Sequence, residues 1–204
     1  MKNKILLIGS EEDMILELNS AGFSIIGFIG NKKKSSLRYL GDYSKISSHL
    51  NKFKSHKVCI AMGPLNIRKK FYKLYSNRLL TYISKKSVIG KKVSIEKGSF
   101  IQSGCFIGNN VKIGKACKIN VNVSVHHDSK IGSFTDVAPS STILGNVTMG
   151  NSCYIGSGSV IREKLKITNN VMTGINSAVV KNITSKGLYY GVPAKKKKNT
   201  YSRP

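Results

Sequence analysis

Two hydrophobic periods divide the chain. Over the first 84 residues, short apolar runs alternate with helical patterns. KILLIG (4–9), FSIIGFI (23–29), KVCIAMG (57–63) and LLTYIS (79–84) read as buried strands, because they are short, continuous and bounded by glycine, serine or charge. Residues 12–21 read as a short helix. Glu12 and Asp13 stand in its first turn, where carboxylates complement the helix dipole, and Gly22 stops it. A second helix follows Pro64, with Ile67, Phe71, Leu74 and Tyr75 on one face. Strands alternating with helices predict a small parallel α/β domain.

From Ile89 onward the helical pattern disappears and every sixth residue is apolar. The series runs Ile89, Ile95, Ile101, Ile107 and so on to Val179, aliphatic or Met throughout except at Thr173. The fifth position of each hexad is small or branched, and Cys105, Cys117 and Cys153 all fall in that set. A hexapeptide repeat without insertions predicts a parallel β-helix. Positions five, six and one form a short strand facing in, out, in, and positions two to four form a corner. Three hexads make a coil of 18 residues, so the run makes about five coils. Glycine recurs at the second position, at 90, 108, 114, 132, 150, 156 and 174, as expected if the corner turns through positive φ there.

Residues 18 apart stack, so the outward sixth positions form three columns. Phe106, Ser124, Thr142, Val160 and Ala178 are small or apolar and uncharged, a face suited to packing on another subunit. Ser94, Lys112, Lys130, Thr148 and Lys166 form a basic, solvent-facing column. Phe100, Lys118, Asp136, Tyr154 and Met172 form a mixed one. The segment VHHDSKIG (125–132) places His126, His127 and Asp128 in the corner between the packing and basic columns.

Composition narrows the function classes. The net charge of +25 comes from 34 basic and 9 acidic residues. Lysine supplies most of it, and arginine is the usual choice for bidentate phosphate or base reading, so a solvated surface is favoured over specific nucleic-acid binding. No apolar run approaches the roughly 20 residues that span a bilayer. The N-terminal apolar stretch meets Glu11, Glu12 and Asp13 at once and lacks the form of a signal peptide, so a cytoplasmic protein is expected. No C-x-x-C pair is present, and His49 and His56 lie far from His126 in the chain, so no metal site is expected. The cysteines read as buried free thiols.

The chemistry therefore concentrates at 126–128. His126 stands where glycine or asparagine usually sits and reads as a corner residue, since histidine is enriched at positive φ. His127 reads as the apex, facing a groove beside the packing face. An imidazole there can take up a proton near neutral pH, and Asp128 can fix its tautomer and stabilise the imidazolium. A solvated turn accounts for the same residues.

The hexads, the run from HHDSKIG through DVAP, ILGNVTMG and YIGSGSVI, and the closing YYGVPAK resemble the left-handed β-helix acyltransferases. They are most similar to the sialic-acid O-acetyltransferases and the bacillosamine-type UDP-sugar N-acetyltransferases. AMGPLNIRKK (61–70) is also similar to a stretch of that family. The resemblance implies an α/β, Rossmann-like N-terminal domain that binds a sugar nucleotide (1–84). It implies a left-handed parallel β-helix acyltransferase domain (85–184), and a C-terminal loop and basic tail occupy 185–204. It further implies a homotrimer that transfers the acetyl group of acetyl-CoA to a sugar amine for surface-glycan biosynthesis, without a metal. His127 would be the general base with Asp128 beside it. Gly9, Ser10, Asn31, Gly63 and Asn120 would meet the small-molecule sugar acceptor. Asp136, Gly156, Gly174, Pro193 and Lys195 would meet coenzyme A, while Lys196, Lys197 and Lys198 read as solvated tail.

Three features depart from that family. The first loop reads GSEEDM (9–14), with carboxylates where a phosphate cradle is usual, and Gly30-Asn31 replaces an acidic pair. Asp136 stands where a second histidine is common. Transfer to a sugar hydroxyl, as in the sialic-acid enzymes, and a non-catalytic β-helix scaffold are the alternative readings.

Overall fold

A computed structural model describes residues 4–31, 35–43, 53, 56–60 and 65–199. The chain divides into two compact units, Met1–Thr81 and Tyr82–Pro204.

In the first unit, strands β1 (Lys4–Ile8), β2 (Ser24–Ile29), β3 (Tyr39–Gly41) and β4 (Lys57–Ile60) form a parallel sheet in the order β3-β2-β1-β4. β1 is central and buried from Ile5 to Ile8, which is why it reads as an unbroken apolar run. Helix α1 (Glu12–Ser20) buries Met14, Ile15 and Leu18. Helix α2 (Leu65–Tyr75) buries Phe71 and Arg68, with Ile67, Tyr72 and Tyr75 partly covered. Leu74, expected on that face, is 52% exposed. β3 has no clear apolar signature. The stretch 79–84 is not one strand: Leu79 bridges to Val58, whereas Tyr82–Ile83 pairs with Phe100–Ile101 in the second unit.

Most of the second unit consists of two-residue strands stacked into three sheets, parallel except at the C-terminal end. Up to the last coil each strand pairs with the residues 18 positions on, as in Lys112↔Lys130, Lys118↔Asp136 and Ser124↔Thr142. One sheet carries the packing column from Val88–Ile89 to Ala178–Val179, a second the basic column from Ser94–Ile95 to Lys166–Ile167, and the third the mixed column. These sheets fit a left-handed β-helix. First and fifth hexad positions fill the interior as one continuous core, from Ile101 to Ile183. All four cysteines are buried thiols outside any disulfide.

The fifth-position side chains do more than fill space. Ser159 Oγ donates to Gly174 O at 2.8 Å and accepts from Ser177 N at 3.2 Å. Ser129 does the same with Leu144 O at 2.9 Å and Val147 N at 3.1 Å. Cys105 and Cys117 point their thiols at the equivalent carbonyls, of Asn120 and Gly132. A small side chain with one donor and one acceptor thus satisfies backbone groups that the two-residue strands leave unpaired.

The corner geometry corrects one expectation. Positive φ falls at the fourth hexad position, as in Asn110 (61°), Ala116 (48°), Asp128 (61°) and Phe134 (60°), not at the second. The second-position glycines answer a different demand. A Cβ on Gly108 would lie 2.7 Å from His127 N, and one on Gly114 2.7 Å from Ser133 N. The next coil's backbone leaves no room for a side chain.

The C-terminus refines another. The expected solvated tail is exposed at all four lysines but ordered, because Lys195–Lys198 form a strand antiparallel to Gly187–Tyr190 at the end of the mixed sheet. Lys197 Nζ lies 5.0 Å from the centre of the Tyr190 ring. Among the described residues, no helix is long and apolar enough to cross a membrane.

Candidate active site

The corner after Ser124–Val125 carries the candidate chemistry. His126 does not have the left-handed backbone expected of it. That conformation belongs to Asp128, and the His126 ring packs 5.6 Å from Phe106 at the edge of the packing face. The reversal at Asp128 turns its carboxylate back onto its neighbour. His127 Nδ1 lies 2.8 Å from Asp128 Oδ2, with the two side chains 60% and 44% exposed. Asn110 Nδ2, one coil earlier, donates to Asp128 Oδ1 at 2.9 Å. These donors hold the Asp128 carboxyl below its ordinary range, the bond from His127 contributing most and that from Asn110 next.

An ionised carboxylate only accepts, so Nδ1 of the neutral imidazole carries the proton and Nε2 keeps its lone pair. Nε2 faces Gly145, one coil later: a Cβ there would lie 2.7 Å from Nε2 and 2.8 Å from Cε1. The arrangement is an imidazole with its tautomer set by a carboxylate.

The other expected residues gather in two more places. Asn120, Gly156 and Gly174 stack in one corner, at the opposite edge of the packing face from His127. Asn120 Nδ2 donates to Val137 O at 2.7 Å. A Cβ on Gly174 would lie 2.7 Å from Tyr190 Cβ, so the loop from Gly191 to Lys195 closes over this corner. Ala178 N donates to Gly191 O at 3.0 Å, and Ala194 N to Ala178 O at 2.8 Å. Pro193 and Lys195 are exposed on that loop, beside exposed Val192 and Ile175. Asp136 lies on the mixed sheet, which does not border the His127 corner, and is 5% exposed.

In the first unit, Gly9, Ser10 and Asn31 lie at the carboxyl ends of β1 and β2, and Gly63 is outside the described residues. A Cβ on Gly30 would lie 3.3 Å from Tyr43 Oη and 3.6 Å from Gly9 Cα. Burial raises the Tyr43 phenol above its ordinary value, and the Glu11 charge adds to this. Ser10 Oγ is buried and has no hydrogen-bond partner among the described residues. Glu12 is turned aside, accepting from Ser35 Oγ at 2.9 Å and Ser36 Oγ at 3.2 Å. Among the described residues, no group of His, Cys, Asp or Glu side chains is arranged to hold a metal.

Asn110 and Gly145 were not singled out from the sequence. The 18-residue period would have found them, since they stand one coil before Asp128 and one coil after His127.

No family model matches the chain. PerB from Caulobacter crescentus, solved with CoA and GDP-perosamine, superposes with a TM-score of 0.86 at 22% identity, covering 95% of this chain and 97% of that one. The acetyltransferase domain of PglB from Neisseria gonorrhoeae superposes with a TM-score of 0.86 at 18% identity, covering 96% and 100%. The fold is that of these acetyltransferases. WeeI from Acinetobacter baumannii shares it, with a TM-score of 0.81 at 23% identity over 97% and 100%. Among curated relatives, UDP-3-O-acylglucosamine N-acyltransferase of Bordetella pertussis is 35% identical over 75 residues, 37% of this chain. The match spans only 21% of that relative's length.

Proposed function

We propose that the protein is an acetyl-CoA-dependent N-acetyltransferase acting on the amino group of a nucleotide-linked sugar, with His127 as general base. The observation that carries this reading is the Nδ1–Oδ2 contact of 2.8 Å, which leaves Nε2 available. Nε2 removes the proton of the neutral amine as its nitrogen bonds to the thioester carbonyl carbon. Asp128 stabilises the imidazolium so formed. When the carbon–sulfur bond breaks, Nε2 returns the proton to the departing thiolate, giving the amide and free thiol.

The placement of the remaining residues supports a homotrimer. His127 and the Asn120–Gly156–Gly174 corner stand at the two edges of one uncharged face. Copies packed through that face bring the His127 corner of one against the other corner of its neighbour, forming a groove that neither makes alone. Exposed Ile175 and Val192 fit the apolar parts of coenzyme A, and Lys195 fits a phosphate. The glycines at 156 and 174 fit stacking rather than a ligand, since their missing side chains make room for Gly174 and Tyr190.

The sheet order β3-β2-β1-β4 supports a Rossmann-like assignment for 1–84, with the acceptor at the carboxyl ends of the strands. Gly9, Ser10 and Asn31 would meet it there. We assign 85–184 to a β-helix of about five coils and 185–204 to its C-terminal closure. We place the protein in the cytoplasm, where acetyl-CoA and nucleotide sugars are at hand.

His127→Ala should lower turnover of nucleotide-linked amino sugars by about 10²–10⁴-fold. Free-thiol release measures the rate, and circular dichroism with light scattering checks that fold and assembly persist. Wild-type turnover in this variant would refute the mechanism.

A further inference from the structure

We infer that Asn110 and Gly145, one coil before and one coil after the His127–Asp128 pair, are its positioning residues. Asn110 holds Asp128 as the acceptor of the Nδ1 proton, and Gly145 supplies the space in which Nε2 stands. The inference rests on reading His127 as the base.

Asn110 acts from one side. Its amide donates to Asp128 Oδ1 at 2.9 Å, while His127 takes Oδ2 at 2.8 Å. With a donor on each oxygen, the carboxylate plane is fixed and Asp128 cannot swing away from the imidazole. The backbone at the fourth corner position does not demand an amide, since Lys92, Ala116, Phe134 and Ser140 adopt the same left-handed conformation at other corners. Asparagine combines tolerance of that conformation with a donor of the right reach.

Gly145 acts from the other side. Its φ lies outside the left-handed region, so the backbone does not require glycine. The second-position glycines avoid backbone of the next coil, but the three atoms nearest a Cβ on Gly145 all belong to the imidazole: Nε2 at 2.7 Å, Cε1 at 2.8 Å and Cδ2 at 3.3 Å. The corner itself cannot retreat. Ser129 Oγ binds Leu144 O and Val147 N on either side of Gly145, and Asn146 N donates to His127 O at 2.9 Å. A methyl group at 145 would therefore move the ring and leave the corner in place.

Substitutions at the two positions test this without straining the backbone. Gly145→Ala should lower kcat about 10²-fold, the loss expected of a base displaced by roughly an ångström, with an unchanged melting temperature. Asn110→Gly keeps the left-handed backbone and removes the amide. It should lower kcat roughly 10-fold, as loss of an outer partner does. Nitrogen NMR of the resting enzyme should then show His127 passing from a single Nδ1–H tautomer to a mixture. Asn110→Asp, which places a carboxylate against Asp128, should have the same effect. Wild-type kcat in Gly145→Ala, or a wild-type tautomer and kcat in both Asn110 variants, would overturn the inference. Failure of the underlying reading looks different: His127→Ala would then turn over normally, while the tautomer measurement would still report on Asn110.

Discussion

Asp128 does two jobs at once, and both follow from its backbone. Its left-handed φ of 61° closes the corner, and the same reversal brings its carboxylate to Nδ1 of the preceding residue. Adjacent side chains on an extended strand point to opposite faces and could not make this contact. The hydrogen bonds from His127 and Asn110 hold the carboxyl below its ordinary 3.8. The sign follows from linkage: a depressed carboxylate pKa contributes stability that is present above the unfolded value and is lost as pH falls through the folded one. Carbon NMR should therefore find Asp128 titrating below pH 3.8, and Asn110→Gly should move its midpoint up. An Asp128 midpoint at or above the ordinary value would contradict the geometry. The site is open to water, so this linkage shapes the imidazole more than it stabilises the fold.

At the scale of the element, the hexad is read correctly for its apolar first position and incompletely for the rest. The aliphatic series is legible because each such side chain enters the core alone, with no partner to specify. The second-position glycines are visible as a pattern, but their cause lies in the next coil, 18 residues away in the chain. Gly132→Ala tests that cause. Its Cβ would overlap the Gly150 carbonyl, so the substitution should destabilise the protein by about 1–3 kcal/mol, read from thermal unfolding, although no positive φ is involved. The fifth-position hydroxyls and thiols likewise read as small filler until the structure shows Ser159 bridging Gly174 O and Ser177 N. In the α/β unit, β1 was legible from its apolar run, while β3 and the exposure of Leu74 depend on neighbours that periodicity does not encode.

At the scale of the whole molecule, the face with Phe106 and Val160 matters most. These two are 43% and 42% exposed on a sheet that also presents Val88, 62% exposed, with Ser124, Thr142 and Ala178. Phe106→Glu places a charge where the trimer proposal buries an aromatic ring, so it should yield monomers by light scattering. Transfer should be lost with assembly, since the proposed groove needs two copies. A fully active monomer would show that one β-helix completes the site. The sequence by itself determined the repeat, the three columns and the pairing of an imidazole with a carboxylate at one corner, because these are local in the chain or recur every six residues. Only the tertiary structure decided which corner residue turns left-handed, why Gly145 has no side chain and what holds Asp128. Those are contacts between coils, where 18 residues of chain separate atoms that stand a hydrogen bond apart.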